Sequence, residues 1–118
     1  MSFDRNRLRL ANLAMKRQHK IRAWLRDGET VVKVLIRHPM ETGARMDDVT
    51  GKRVPRHFVQ SVEAERNGKR VLSGDWGWGM SSNPNFGFSL SGGKPGDVVR
   101  VAWVDNKGET GELEAIVK

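Results

Sequence analysis

From residue 19 onward, apolar residues recur at every second position, and short polar, glycine-bearing stretches interrupt them. In "KIRAWLR", Ile21, Ala23 and Leu25 alternate with Lys20, Arg22 and Arg26, the pattern of a half-buried strand. Asp27-Gly28 then marks a tight turn, since glycine reaches positive φ without steric cost. "TVVKVLIRH" follows, with Val32, Val34 and Ile36 on one face, Lys33 and Arg37 on the other, and Val31 and Leu35 partly covered. The period breaks at residues 38–56, "HPMETGARMDDVTGKRVPR", which are too irregular for helix or strand. It resumes in "RHFVQSVEAER", which predicts Phe58, Val62 and Ala64 inward and Glu63 and Glu65 outward. Asn67-Gly68 is the strongest hairpin signal in the chain. "KRVLSGDW" returns, and "WGWGMSSNP" forms a second irregular stretch. In "NFGFSLS", Phe86, Phe88 and Leu90 alternate with Gly87 and Ser89, a face that reads as core. "VVRVAWVD" and "ELEAIVK" complete the series, separated by the turn "NKGETG".

About seven short strands at roughly ten-residue spacing predict an all-β fold, an immunoglobulin-like antiparallel β-sandwich. A small closed barrel is the alternative. The 118 residues suit one domain. Residues 1–18 differ in character: Arg5, Arg7, Arg9, Lys16 and Arg17 stand against Asp4 alone, so this arm holds most of the net charge. Leu8, Asn12 and Met15 fall near helical spacing, but the apolar stripe is thin. The arm reads as a flexible tail or a short docked helix, and the folded domain as residues 19–118.

The chain has no cysteine, which excludes disulfides, thiolate metal sites and a cysteine nucleophile. Histidines are His19, His38 and His57. A three-histidine metal site would need all of them, and His19 lies in a basic segment, so neither metal nor cofactor is expected. No apolar run approaches the ~20 residues of a membrane span, and the start lacks the apolar stretch of a secretory signal. Taken alone, these residues point to the cytoplasm. The net charge of +7 favours anionic partners.

Catalytic patterns are sparse. Asp47 and Asp48 are neighbours and read as turn-forming aspartates. His38 and His57 bracket the polar loop, and the flanking strands could bring them together, with Glu41, as a general-base pair. "SGGKPG" lacks the spacing of a phosphate-binding loop. No serine stands in a nucleophile setting, and no enzyme is expected. A nucleic-acid binder would set aromatic platforms in a positive groove. Trp76 and Trp78 suit that role better than Phe86 or Phe88, yet basic residues do not cluster around them in sequence. The same tryptophans suit a protein interface, or a cover over the end of the sandwich.

The loop "HPMETGARMDDVTGKRVPR" closely resembles the signature loop of the SoxZ family of sulfur-oxidation proteins. The family pattern falls on His38, Pro39, Met40, Glu41, Thr42, Gly43, Arg45, Asp47, Gly51, Lys52, Val54, Pro55 and Arg56. A second segment falls on Ser81, Ser82, Asn83, Pro84, Asn85 and Phe88, and a third on Trp103, Asp105 and Gly108. The resemblance covers about residues 20–118. It departs at a first loop longer by one residue, a shorter connection at Asp27-Gly28, Asn85 in place of a usual tyrosine, the unusual "DWGWG", and a longer basic arm.

The resemblance implies an immunoglobulin-like subunit that pairs with a SoxY-like subunit carrying a C-terminal Gly-Gly-Cys-Gly-Gly arm. That cysteine would hold the sulfur intermediate and present it to cytochrome and hydrolase components of the Sox system. The implied location is the periplasm, reached with a signal-bearing partner, against the inference from the residues alone. The runner-up function is a basic β-domain for nucleic acid or another anionic partner. His38, Met40, Glu41, Arg45, Arg56, Trp76, Trp78 and Asn83 are the candidates for a partner interface or for guiding the carrier arm. Pro39 and Pro55 stiffen the loop, and Glu41 and Arg45 are placed to form an ion pair. A loop that covers one end of the sandwich is the alternative.

Overall fold

A computed structural model describes residues 19–77 and 82–118. The basic arm of residues 1–18, and Trp78 and Ser81 with their neighbours, lie outside the described residues. Seven strands follow in order: β1 (Lys20–Arg26), β2 (Glu29–Leu35), β3 (Val59–Arg66), β4 (Lys69–Asp75), β5 (Asn85–Ser91), β6 (Val98–Asp105) and β7 (Thr110–Ile116). No helix occurs among the described residues. Two antiparallel sheets form, β1-β2-β5 and β4-β3-β6-β7. They remain separate, so the molecule is a sandwich and not the closed barrel.

The turns behave as their residues dictate. Asp27 and Gly28 take φ of 51° and 78°, and Asn67 and Gly68 take 52° and 81°. Positive φ at both central positions matches the right-handed twist of the strands they join. Arg26 therefore faces Glu29, and Arg66 faces Lys69.

The core lies between the sheets. Val32, Val34 and Ile36 come from β2 and its continuation, and Val62, Ala64, Val99, Val101, Trp103 and Leu113 from the opposite sheet. Full burial of such side chains contributes about 1.5–3 kcal/mol each. Trp103 is cross-strand from Gly111, and a Cβ at Gly111 would run into the indole ring. The glycine leaves the space that the ring fills.

Two expectations about facing need correction. Val59 is fully buried while Phe58 is half-buried. The register shifts between Val59 and Ser61. One extra residue there reverses the alternation, so the position that simple parity gave to Phe58 falls to Val59. Phe86, Phe88 and Leu90 are also only half-buried, because β5 is the last strand of its sheet and no described strand pairs beyond it.

Candidate functional site

The polar loop leaves β2 after Leu35 and returns as β3 at Val59. It is held at both ends by side chains that converge on one carboxylate. Asp105 closes β6, and its side chain is 2% exposed. Its Oδ2 accepts from His57 Nε2 at 2.6 Å and lies 3.2 Å from His38 Nε2. Its Oδ1 accepts the backbone N–H groups of Lys107 and Glu109, each at 2.9 Å. The two imidazoles meet edge to face with centroids 4.4 Å apart. Burial works against ionisation of Asp105, but the donors from His57, His38, Glu109 and Lys107 outweigh it and hold the carboxyl below its ordinary range.

The proton positions follow from the neighbours. The Met40 N–H donates to His38 Nδ1 at 3.0 Å. Neutral His38 therefore carries its proton on Nε2, the nitrogen that faces Asp105. Every acceptor position of Asp105 is thus taken by a donor. The donor atoms of His38, His57 and Asp105 lie within 4.8 Å of one another, close enough to suit a cation. The tautomer opposes that use. A metal at His38 Nε2 would require the proton on Nδ1, directly against the Met40 N–H, whereas ligating histidines normally donate from their second nitrogen to an acceptor. The cluster is a hydrogen-bonded clamp.

Several sequence candidates belong to this clamp. The His38 N–H donates to Asn83 Oδ1 at 2.9 Å, and the Asn83 N–H donates to the His38 carbonyl at 2.7 Å. Asn83 sits at φ 50°, a conformation asparagine tolerates better than most residues. Met40 also has positive φ, 51°, which is unfavourable for a residue with a Cβ. Its bond to His38 and the buried Sδ, which accepts the Val59 N–H at 3.3 Å, hold it there. Glu41 exchanges backbone bonds with His57 at 2.6 and 3.0 Å. The Glu41 carboxylate receives Arg45 Nη2 at 2.6 Å and Nε at 3.0 Å, the ion pair expected from the sequence. Arg45 depresses the Glu41 pKa.

Arg56 lies across Gly43, where a Cβ would sit 2.7 Å from Arg56 Cγ, and its Nε donates to the Thr42 carbonyl at 3.0 Å. Asn106, absent from the sequence candidates, ties the far end. Its Nδ2 donates to the Arg56 carbonyl and its Oδ1 accepts the Phe58 N–H, both at 2.9 Å. An asparagine after the strand-ending aspartate was the available signal, but asparagines are common in turns for local reasons.

Beyond the clamp, the loop forms a small hairpin, with Met46 bridged to Arg53. Asp47 Oδ1 accepts the N–H groups of Val49 and Thr50, which lowers its pKa. It is a turn-forming aspartate, as its sequence context suggested. Val49, at the tip, is 94% exposed.

Of the two candidate tryptophans, one falls among the described residues. Trp76 is half-buried, edge-on to Phe86 with centroids 5.0 Å apart. Trp78 lies outside the described residues. His19, at the boundary of the arm, is buried against Trp103 at 4.8 Å and accepts the Arg37 N–H at 3.0 Å through Nδ1. Burial, then repulsion from His38 and Arg37, lowers its pKa.

The fold and this clamp define a class: a two-sheet, immunoglobulin-like β-domain whose conspicuous polar cluster is occupied in holding a loop. The family model described as "Sulphur oxidation protein SoxZ" matches residues 19–115. The chain belongs to the SoxZ family, and is a subunit of a sulfur-oxidation system. No curated protein matches it.

Proposed function

We propose that this chain is the non-catalytic subunit of a sulfur-carrier complex. It binds a SoxY-like subunit whose C-terminal cysteine holds the sulfur intermediate during thiosulfate or sulfur oxidation. The observation that carries this reading is the family match over residues 19–115, which spans nearly all of the strand domain and the whole polar loop. The site chemistry supports it. The histidine and aspartate groups that could have served as base and orienting acid are committed to one another and to backbone amides, and every buried side-chain nitrogen and oxygen among the described residues has a partner. The chain has no cysteine of its own to carry sulfur. Its loop is pre-ordered by side-chain bonds, so little conformational freedom is lost on docking. The complex works in the periplasm, with sulfur handed on to cytochrome and hydrolase components.

Co-expression with a SoxY-type subunit followed by size-exclusion chromatography tests the pairing. Co-elution as a heteromer is expected. Elution of the two chains apart, at concentrations of tens of micromolar or about that, would overturn it.

A further inference from the structure

Outward residues of the four-stranded sheet line up across its strands. Asp75, Ser61, Val104 and Thr110 form one row, and Ser73, Glu63, Ala102 and Glu112 form the next. A third row holds Arg70, Glu65, Arg100 and Glu114. The serines, Ala102, Val104 and Thr110 are short, and the longer side chains around them enclose a recess of about 670 Å³. Carboxylates dominate this face. Arg100 is taken by Glu112 and Glu65, and Arg70 by Glu63. Asp75 and Glu114 are exposed, and no cation pairs with either among the described residues. At the end of the face, Val98 opposite Ile116 makes an exposed apolar pair.

The outer face of the three-stranded sheet has the opposite sign. Lys20, Arg22 and Lys33 are exposed there, and no carboxylate pairs with them among the described residues. A chain of net charge +7 thus carries an acidic face, and its most basic segment begins beside it. His19, the first described residue, lines the recess. It is fixed there by its contact with Trp103 and by the Arg37 N–H. Residues 1–18 therefore join the domain at the rim of the acidic recess. Four strands about 4.8 Å apart make a face roughly 15 Å across. An extended chain gains about 3.3 Å per residue, so the stretch from Arg17 back to Arg5 is long enough to cross it.

We propose that the basic arm, residues 1–18, docks in cis on the outer face of the four-stranded sheet. Arg5, Arg7, Arg9, Lys16 and Arg17 meet the carboxylates of Glu63, Asp75, Glu112 and Glu114. The interspersed Leu8, Leu10, Leu13 and Met15 cover the short floor of the recess and the Val98/Ile116 pair. Charge selects both the face and the occupant. Lys20, Arg22 and Lys33 repel the same arm from the other sheet. Attachment at His19 holds the arm beside the recess at a high effective concentration, which no separate basic molecule shares. Exposed ion pairs are individually weak, so the leucines and Met15 add the apolar burial that keeps the arm in place. This inference stands apart from the carrier reading and does not depend on it.

Paramagnetic broadening in the full chain tests this. A nitroxide attached through Asn6→Cys is the only label, because the chain has no cysteine of its own. At low salt, amide signals of residues 61–63, 73–75, 102–104 and 110–112 fall to half their intensity or less, while those of Lys20, Arg22 and Lys33 hold. Asp75→Lys with Glu114→Lys, two exposed and unpaired positions, restores the signals. Salt at about 0.5 M, where the Debye length is only about 4 Å, restores them without any substitution. Broadening spread evenly over the domain, or centred on the three-stranded sheet, overturns the proposal. So does broadening that survives both the double substitution and the salt. Broadening passed from a labelled chain to an unlabelled, isotope-enriched one assigns the face to a second copy and also overturns docking in cis.

Discussion

Asp105 collects four donors at one buried carboxylate, two from imidazoles on the loop and two from its own turn. Asp105→Asn keeps the size but replaces one acceptor with a donor that faces an imidazole N–H. Loss of charge-assisted bonds at a buried site costs about 3 kcal/mol, and urea denaturation should show it as a shifted midpoint with the slope unchanged. Two groups set the wild-type pH dependence, and both act in the same direction. Asp105 is depressed below 3.8, so its stabilisation is complete above that value and is lost as pH falls through the folded-state pKa. His19 is lowered below 6.5, so the unfolded chain binds its proton first and stability falls as pH drops below 6.5. Protonation at Nδ1 would also oppose the Arg37 N–H. His19→Gln should flatten the Tm profile between about pH 7 and pH 5. A slope identical to wild type would show that His19 does not contribute.

Elements here are built with different margins. The hairpin within the loop depends on Asp47, whose side chain holds two backbone amides, but nothing in the core rests on it. Asp47→Ala should accelerate hydrogen exchange across residues 46–53 and leave the global Tm in place. The pairing of β6 with β7 depends on Gly111. Gly111→Ala forces a methyl group into the Trp103 ring, and overpacking of this kind costs about 1–3 kcal/mol. Denaturant unfolding and a change in tryptophan fluorescence would report it together. The strands and both two-residue hairpins were legible in the sequence because period-two alternation and Asp-Gly or Asn-Gly turns are local signals. The bulge at Val59/Ser61 was not, since it depends on how β3 meets β6, and parity therefore pointed to Phe58. The half-burial of β5 was hidden for the same reason. Alternation shows which face is apolar, and strand order decides how much covers it.

For the whole molecule, the loop's identity was visible in its residue pattern, and His38 and His57 were placed as a pair by the strands that flank them. Their partner was missed. Asp105 lies far along the chain and comes to the loop only because β6 sits beside β3. The sequence suggested Glu41 for that place, but Glu41 turns to Arg45. A cluster that read as a possible base is thus a clamp. The most direct measurement loads the purified two-chain complex with thiosulfate and the accompanying Sox oxidising components, then takes the intact mass of each chain. Sulfur adducts on the partner's cysteine arm alone, with this chain at its unmodified mass and inactive by itself, are the expected result. A sulfur adduct on this chain, or sulfur turnover by this chain in isolation, would contradict it.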